Sequence, residues 1–178
     1  SNVTSEYFYP DAVILGPDLA VTLSRQMTLS SGFDALAHTM DGCTTKENIL
    51  NPNPYVELLA YESMKLVFQN LRTAAALPES LDARWKVMLG ANMAGATLSA
   101  GTGATHGLAN MLSKYYHVPH GESVGMLLPY VMEYNITCCP EKYARMAEAI
   151  GVRKDGMTDL EAAQREHTAG NPIGGCLT

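Results

Sequence analysis

The chain has 178 residues, 47% of them hydrophobic and 17% charged, the balance of a folded globular domain rather than a disordered segment. That length suits one domain with a substantial core and argues against a second full one. A formal net charge of −6 offers no basic footprint for a phosphate backbone, which sets nucleic-acid binding aside. No apolar run nears the ~20 residues of a membrane span. The opening "SNVTSEYFYP" lacks the basic-then-apolar grammar of a signal peptide, so a cytoplasmic protein is expected. Cysteines fall at 43, 138, 139 and 176 without C-x-x-C spacing, which predicts reduced, mostly buried thiols rather than a zinc knot or disulfide framework.

In chain order, "YFYPDAVILGPDLAVTL" (7–23) is punctuated by Pro10 and Pro17 and is expected to be extended. A short helix is expected over 30–45. From Pro54 onward, Val56, Leu59, Ala60, Met64, Val67, Phe68 and Leu71 recur at three- and four-residue steps, the stripe of an amphipathic helix with proline in its first turn. The segment 80–101 starts at Ser80, a suitable N-cap, and is rich in Ala, Gly and Met nearly all round. A central helix packed on several sides is therefore expected there. Two further helices are predicted at about 105–116 and 121–135, separated by "HVPHG". Another is predicted at about 141–150, ending at Gly151, and a last one through "MTDLEAAQREH" with Thr158 as its cap. Little β-branched alternation appears after the lead-in, and no repeat or low-complexity tract is present. The expected architecture is all-α, a helical bundle or array with a short extended lead-in.

Only five histidines occur, and three of them, His106, His117 and His120, crowd into residues 103–123. In "FDALAH", Asp34 and His38 stand four apart, so on a helix both project from one face. Such a pair often arises as a solvated or hydrogen-bonded couple. His106, in "GTGATHG" before one helix, and His120, in "VPHG" before the next, strengthen the case for an ion. Imidazole nitrogens with one carboxylate suit a borderline cation such as Fe²⁺ or Zn²⁺, whereas Mg²⁺ or Ca²⁺ would ask for oxygens. An ion with an open coordination position can act as a Lewis acid toward a substrate oxygen. His117, beside Tyr115 and Tyr116, is expected to be an ordinary imidazole outside that set.

The motifs "SGFDALAH", "GATHGLAN" and "YHVPHGESVGMLLPYVMEYN" resemble the iron-containing (group III) alcohol dehydrogenases, which include lactaldehyde reductase, 1,3-propanediol dehydrogenase and butanol dehydrogenases. The resemblance runs from about Pro10 to about Glu161, with "NPNPYVELLAYESMKLV", "EKYARMAEAIGV" and "GMTDLEAA" in the family's order, and fades beyond Gln164. It implies the dehydroquinate synthase-like helical C-terminal domain, with a metal held by Asp34, His38, His106 and His120. It further implies that the ion, Fe²⁺ or sometimes Zn²⁺, binds an alcohol or aldehyde oxygen while hydride moves to or from NAD(P). Where many members carry a second histidine four residues after the third ligand, this chain has Asn110, a position near the coenzyme in the family.

Members of that family begin with a nucleotide-binding α/β domain carrying a Gly-Gly-Gly-Ser phosphate loop, and residues 1–178 contain no such segment. The expectation is a helical metal-binding domain that lacks this partner domain, takes small alcohols or aldehydes in the complete enzyme, and can form homo-oligomers. Two other readings remain open at this stage. One is an isolated domain that binds metal and turns nothing over; the other is a zinc-dependent relative of the glycerol dehydrogenase type.

Overall fold

The computed structural model describes residues 5, 7 and 10–170, and among them forms eight α-helices and no strand. A lead-in without regular structure ends in a 3₁₀ turn, Pro17–Ala20. The helices are α1 (Arg25–Thr44), α2 (Lys46–Leu50), α3 (Pro54–Ala76), α4 (Leu81–Thr97), α5 (Ala104–Tyr116), α6 (His120–Ile136), α7 (Pro140–Ala149) and α8 (Asp159–Gly170). The all-α expectation is therefore met. No helix among the described residues is long and apolar enough to cross a membrane.

The first helix departs from its expected bounds. It begins at Arg25 rather than near Ser30, because the Ser24 hydroxyl accepts the Met27 N–H at 3.2 Å and caps the extra turn. This helix, not α4, occupies the centre. Gly32, Ala35, Ala37, Thr39, Gly42 and Cys43 are small and buried along it, and α3, α4, α5 and α6 all pack against it. Its larger buried side chains, Leu29, Phe33, Leu36 and Met40, join Met64, Val67 and Leu71 of α3 and Val124, Leu128 and Met132 of α6 in one core.

The expectation of a central helix over 80–101 is corrected. Apolar residues surround α4, but α1, α3 and the 3₁₀ turn cover one side only, through Ala83, Gly90, Ala94 and Thr97, and Leu81 and Trp85 stay exposed. Small size lets a helix be approached closely, but it does not say from how many sides. Ser80 occupies the cap position of α4 without making a side-chain cap hydrogen bond, and the segment closes in a 3₁₀ turn at Leu98–Ala100.

At the other end of the fold, α7 packs on α3, and α8 packs on both α7 and α6. Lys142 of α7 is buried against Glu57 of α3, and Arg145 reaches the other Glu57 oxygen at 3.3 Å, so each buried charge has a partner. A capping box starts α8: Thr158 N–H donates to Glu161 Oε2 at 2.8 Å, and Thr158 Oγ1 accepts the Glu161 N–H at 3.3 Å. The free thiols of Cys43 and Cys139 are buried and that of Cys138 is exposed; position 176 lies outside the described residues.

One buried group in this region is not compensated. Glu166 of α8 is 1% exposed, borders a small cavity walled by Phe33, Met64 and Met132, and has no hydrogen-bond partner for either oxygen among the described residues. Burial pushes its carboxyl well above the ordinary value of 4.5. A carboxyl raised in this way folds neutral and adds no ionisation cost in acid, but costs stability as pH rises past 4.5, where the unfolded chain ionises freely. Glu166→Gln should therefore raise the melting temperature by a few degrees at pH ~8 and by less at pH ~5, as read by thermal melts. Equal shifts at both pH values would contradict the assignment.

Candidate metal centre

The site is built around one carboxylate on α1. Asp34 and His38, one turn apart, approach through His38 Nε2 and Asp34 Oδ2 at 3.4 Å. His106, in the first turn of α5, places Nε2 3.5 Å from Asp34 Oδ1. His120, the first residue of α6, places its own Nε2 3.3 Å from the same oxygen. The His38 and His106 rings stack with centroids 4.0 Å apart, and those of His106 and His120 lie 5.7 Å apart. His38, His106 and His120 thus each approach the Asp34 carboxylate, and of the four residues named from the sequence Asp34, His38 and His106 form the tight group while His120 stands at its edge.

Two glycines make the convergence possible. α6 lies so close to α1 that a Cβ on Gly121 would fall 2.2 Å from the Ser30 carbonyl oxygen, and this contact sets His120 opposite Asp34, one turn along α1. At the entrance to α5, a Cβ on Gly103 would fall 2.8 Å from the Asp41 carboxylate. Gln26 at the start of α1 also donates to Glu122 at the start of α6 and ties the two helix ends together.

The separations of three imidazoles from Asp34 exceed the 2.7–3.2 Å of good N–H···O bonds. Asp34 Oδ1, His106 Nε2 and His38 Nδ1 are buried with no hydrogen-bond partner. Ligand atoms of Asp34, His38 and His106 all lie within 4.8 Å of one another. The carboxylate and two imidazoles of this group, with His120 beside them, have facing atoms too far apart to satisfy each other, and such a donor set would suit a cation such as Fe²⁺ or Zn²⁺. Electrostatics agrees. Burial alone would raise the Asp34 carboxyl, but the imidazoles of His106, His38 and His120 that face it hold it well below the carboxylate range.

The other residues singled out from the sequence lie outside this cluster. His117 is the C-cap of α5, exposed and left-handed at φ 55°, which explains its presence as a helix terminator. Asn110 is exposed on α5 one turn beyond His106. A group that the sequence reading did not name is Asp41, three residues after His38 and 2% exposed, whose Oδ2 is 2.8 Å from His106 Nδ1. The signal was there: Asp34, His38 and Asp41 follow the i, i+4, i+7 spacing of one helix face.

Without a metal, His106 is a cation shared by two carboxylates. Burial works against its charged form, but the facing Asp34 carboxylate and the hydrogen-bonded Asp41 carboxylate prevail and push its pKa from 6.5 up to about 9. A raised histidine contributes stability that is full below pH 6.5 and lost as pH climbs toward 9. Thermal melts of chelator-treated protein should therefore fall across that window, and His106→Gln should flatten the fall. A level profile in the unsubstituted chain would count against this picture.

Residues 28–170 match the profile of the Fe-containing alcohol dehydrogenase family, C-terminal. The chain belongs to that family. It is 33% identical over 156 residues to 1,3-propanediol dehydrogenase of Citrobacter freundii, covering 87% of this chain and 39% of that protein. It is also 33% identical to long-chain-alcohol dehydrogenase 1 of Geobacillus thermodenitrificans, covering 92% of this chain and 40% of the relative. Among solved structures, a 1,3-propanediol oxidoreductase superposes with a TM-score of 0.85 at 31% identity, over 90% of this chain and 41% of the other. An alcohol dehydrogenase from Oenococcus oeni gives 0.84 at 28% identity, over 90% of this chain and 41% of that one. The iron-containing dehydrogenase match runs on to residue 170, past the point where the motif-by-motif resemblance fades. The chain spans about two fifths of the length of these relatives.

Proposed function

We propose that residues 1–178 form one helical domain, the metal-binding half of an NAD(P)-dependent oxidoreductase that interconverts primary alcohols or diols and aldehydes. Asp34, His38, His106 and His120 are its ligands for one divalent ion, Fe²⁺ or Zn²⁺. The observation that supports this most directly is the buried, unpartnered pair Asp34 Oδ1 and His106 Nε2, 3.5 Å apart, with His38 Nε2 and His120 Nε2 beside the same carboxylate. Such groups are costly to bury unless something completes them.

An ion held there would supply a Lewis acid for a substrate oxygen while hydride passes to or from the nicotinamide. The chain's own residues do the rest. Asp34 brings the single negative charge, so a divalent ion keeps net positive character. His106, 5% exposed at its side chain, closes the inner side, whereas His120 at 40% leaves the outer side open to a small substrate. Asn110, exposed one turn beyond His106, is assigned to coenzyme contact. The coenzyme itself is held by a nucleotide-binding domain paired with this one in a complete protein, in line with relatives that are much longer than the match. The chain alone therefore binds metal without turning over substrate, because hydride transfer needs both reactants held in register.

Reconstitution with Fe²⁺ under anaerobic conditions, or with Zn²⁺, should give one ion per chain by metal analysis and raise the melting temperature. His120→Ala should weaken binding by more than about tenfold. NADH and an aldehyde added to the isolated chain should show no oxidation, while the complete two-domain protein should oxidise NADH. A correctly folded chain that takes up neither ion would overturn the proposal.

A further inference from the structure

Asp41 is more buried than Asp34 and the three histidines around it, and its carboxylate takes its donors from one short segment. Oδ2 accepts the Gly103 N–H at 3.0 Å and the His106 N–H at 3.3 Å, and lies 2.8 Å from His106 Nδ1. Oδ1 accepts the Thr105 hydroxyl at 2.8 Å. The start of α5 has no side-chain cap of its own: its N-cap residue is Gly103. A carboxylate from α1 thus performs the capping role, at the helix end where the peptide dipoles favour a negative charge.

We propose that Asp41 is a positioning residue for the metal centre: it caps α5 from α1 and holds the ring proton of His106 on Nδ1, so that Nε2 turns its lone pair toward Asp34. The inference rests on the metal-site reading above but concerns a residue outside the ligand set. Its logic is that an imidazole has two nitrogens, and the hydrogen bond made by one decides what the other can do. Here the ring has a carboxylate on each side, at 2.8 Å from Nδ1 and 3.5 Å from Nε2. The shorter contact is the one that can hold the proton when the ring is neutral. The same carboxylate fixes the backbone that carries the ring, through the N–H groups of residues 103 and 106, so ring orientation and helix position are set together.

Two measurements on the full chain test this. The first is the long-range ¹H–¹⁵N spectrum of the metal-free protein, followed through an alkaline titration until the spectrum itself reports a neutral His106 ring. The expected result is His106 protonated at Nδ1; a ring protonated at Nε2 would overturn the proposal whether or not the chain binds metal. The second is Zn²⁺ affinity by chelator competition. Asp41→Asn should weaken it by about 10–100-fold with helical content retained. Thr105→Val, which removes one capping contact but leaves the Asp41–His106 pair, should lower the melting temperature and leave the affinity within about twofold. An Asp41→Asn chain that binds Zn²⁺ as tightly as the unsubstituted one would sink the positioning role. Failure of the unsubstituted chain to bind Zn²⁺ would instead sink the metal-site reading, leaving the tautomer to decide on Asp41.

Discussion

The fold depends on how a central helix carries ionisable groups through an apolar core. Along one face of α1, Asp34, His38 and Asp41 sit between core residues such as Phe33, Leu36, Ala37 and Met40. Each polar group placed there needs a partner, since an unpaired buried one costs on the order of 1–3 kcal/mol, more if charged. The partners are the starts of two other helices. The first turn of α5 closes on Asp41, and the first residue of α6 closes on Asp34. Helix starts suit this task because their free N–H groups and dipoles favour carboxylates. The small residues of α1 and α6 let those ends come near enough, with Gly121 against Ser30 the tightest approach.

This arrangement explains which parts were legible in the sequence. Helix existence followed from local signals: the stripe beginning at Pro54, the cap at Thr158 and the terminator at Gly151 each act within a few residues of themselves. Centrality did not follow, because burial is a property of neighbours. Segment 81–97 is as apolar as a central helix, yet it lies on the outside, while α1, with its mixed composition, lies in the middle. The start of α1 was missed for the reverse reason, since the Ser24 cap is followed by a polar first turn with no apolar stripe.

The candidate site was readable because its four groups sit in short, distinctive contexts, and the family resemblance put them in order. Asp41 escaped that reading. It lies in "HTMDGC", which by itself suggests only another acidic residue on a helix. Its meaning depends on Gly103, Thr105 and His106, more than sixty residues away in the chain, whose donors converge on it only after folding. Residues that touch a reacting centre tend to carry local signatures, whereas residues that aim others are defined by long-range contacts.

Among the described residues, Asp34 and Glu166 each have a buried carboxylate oxygen without a hydrogen-bond partner, and they carry opposite consequences. Asp34 faces three imidazoles, so its surroundings favour the anion and hold it far below the carboxylate range. Glu166 faces Phe33, Met64 and Met132, so nothing offsets desolvation and its surroundings favour the neutral acid. An orphaned oxygen is therefore not evidence of a ligand site in itself; what faces it decides. Around Asp34 the neighbours are imidazoles from three helices, groups that favour its charge by taking up a proton and that could equally share a cation with it. Around Glu166 the cavity wall is hydrocarbon and thioether, with the Cys43 thiol and Tyr143 phenol nearby and no cation among the described residues, a setting that asks the group to keep its proton. The first arrangement has donors that a cation could complete and the second has none, which is why the proposed function rests on the acid of α1 and not on the acid of α8.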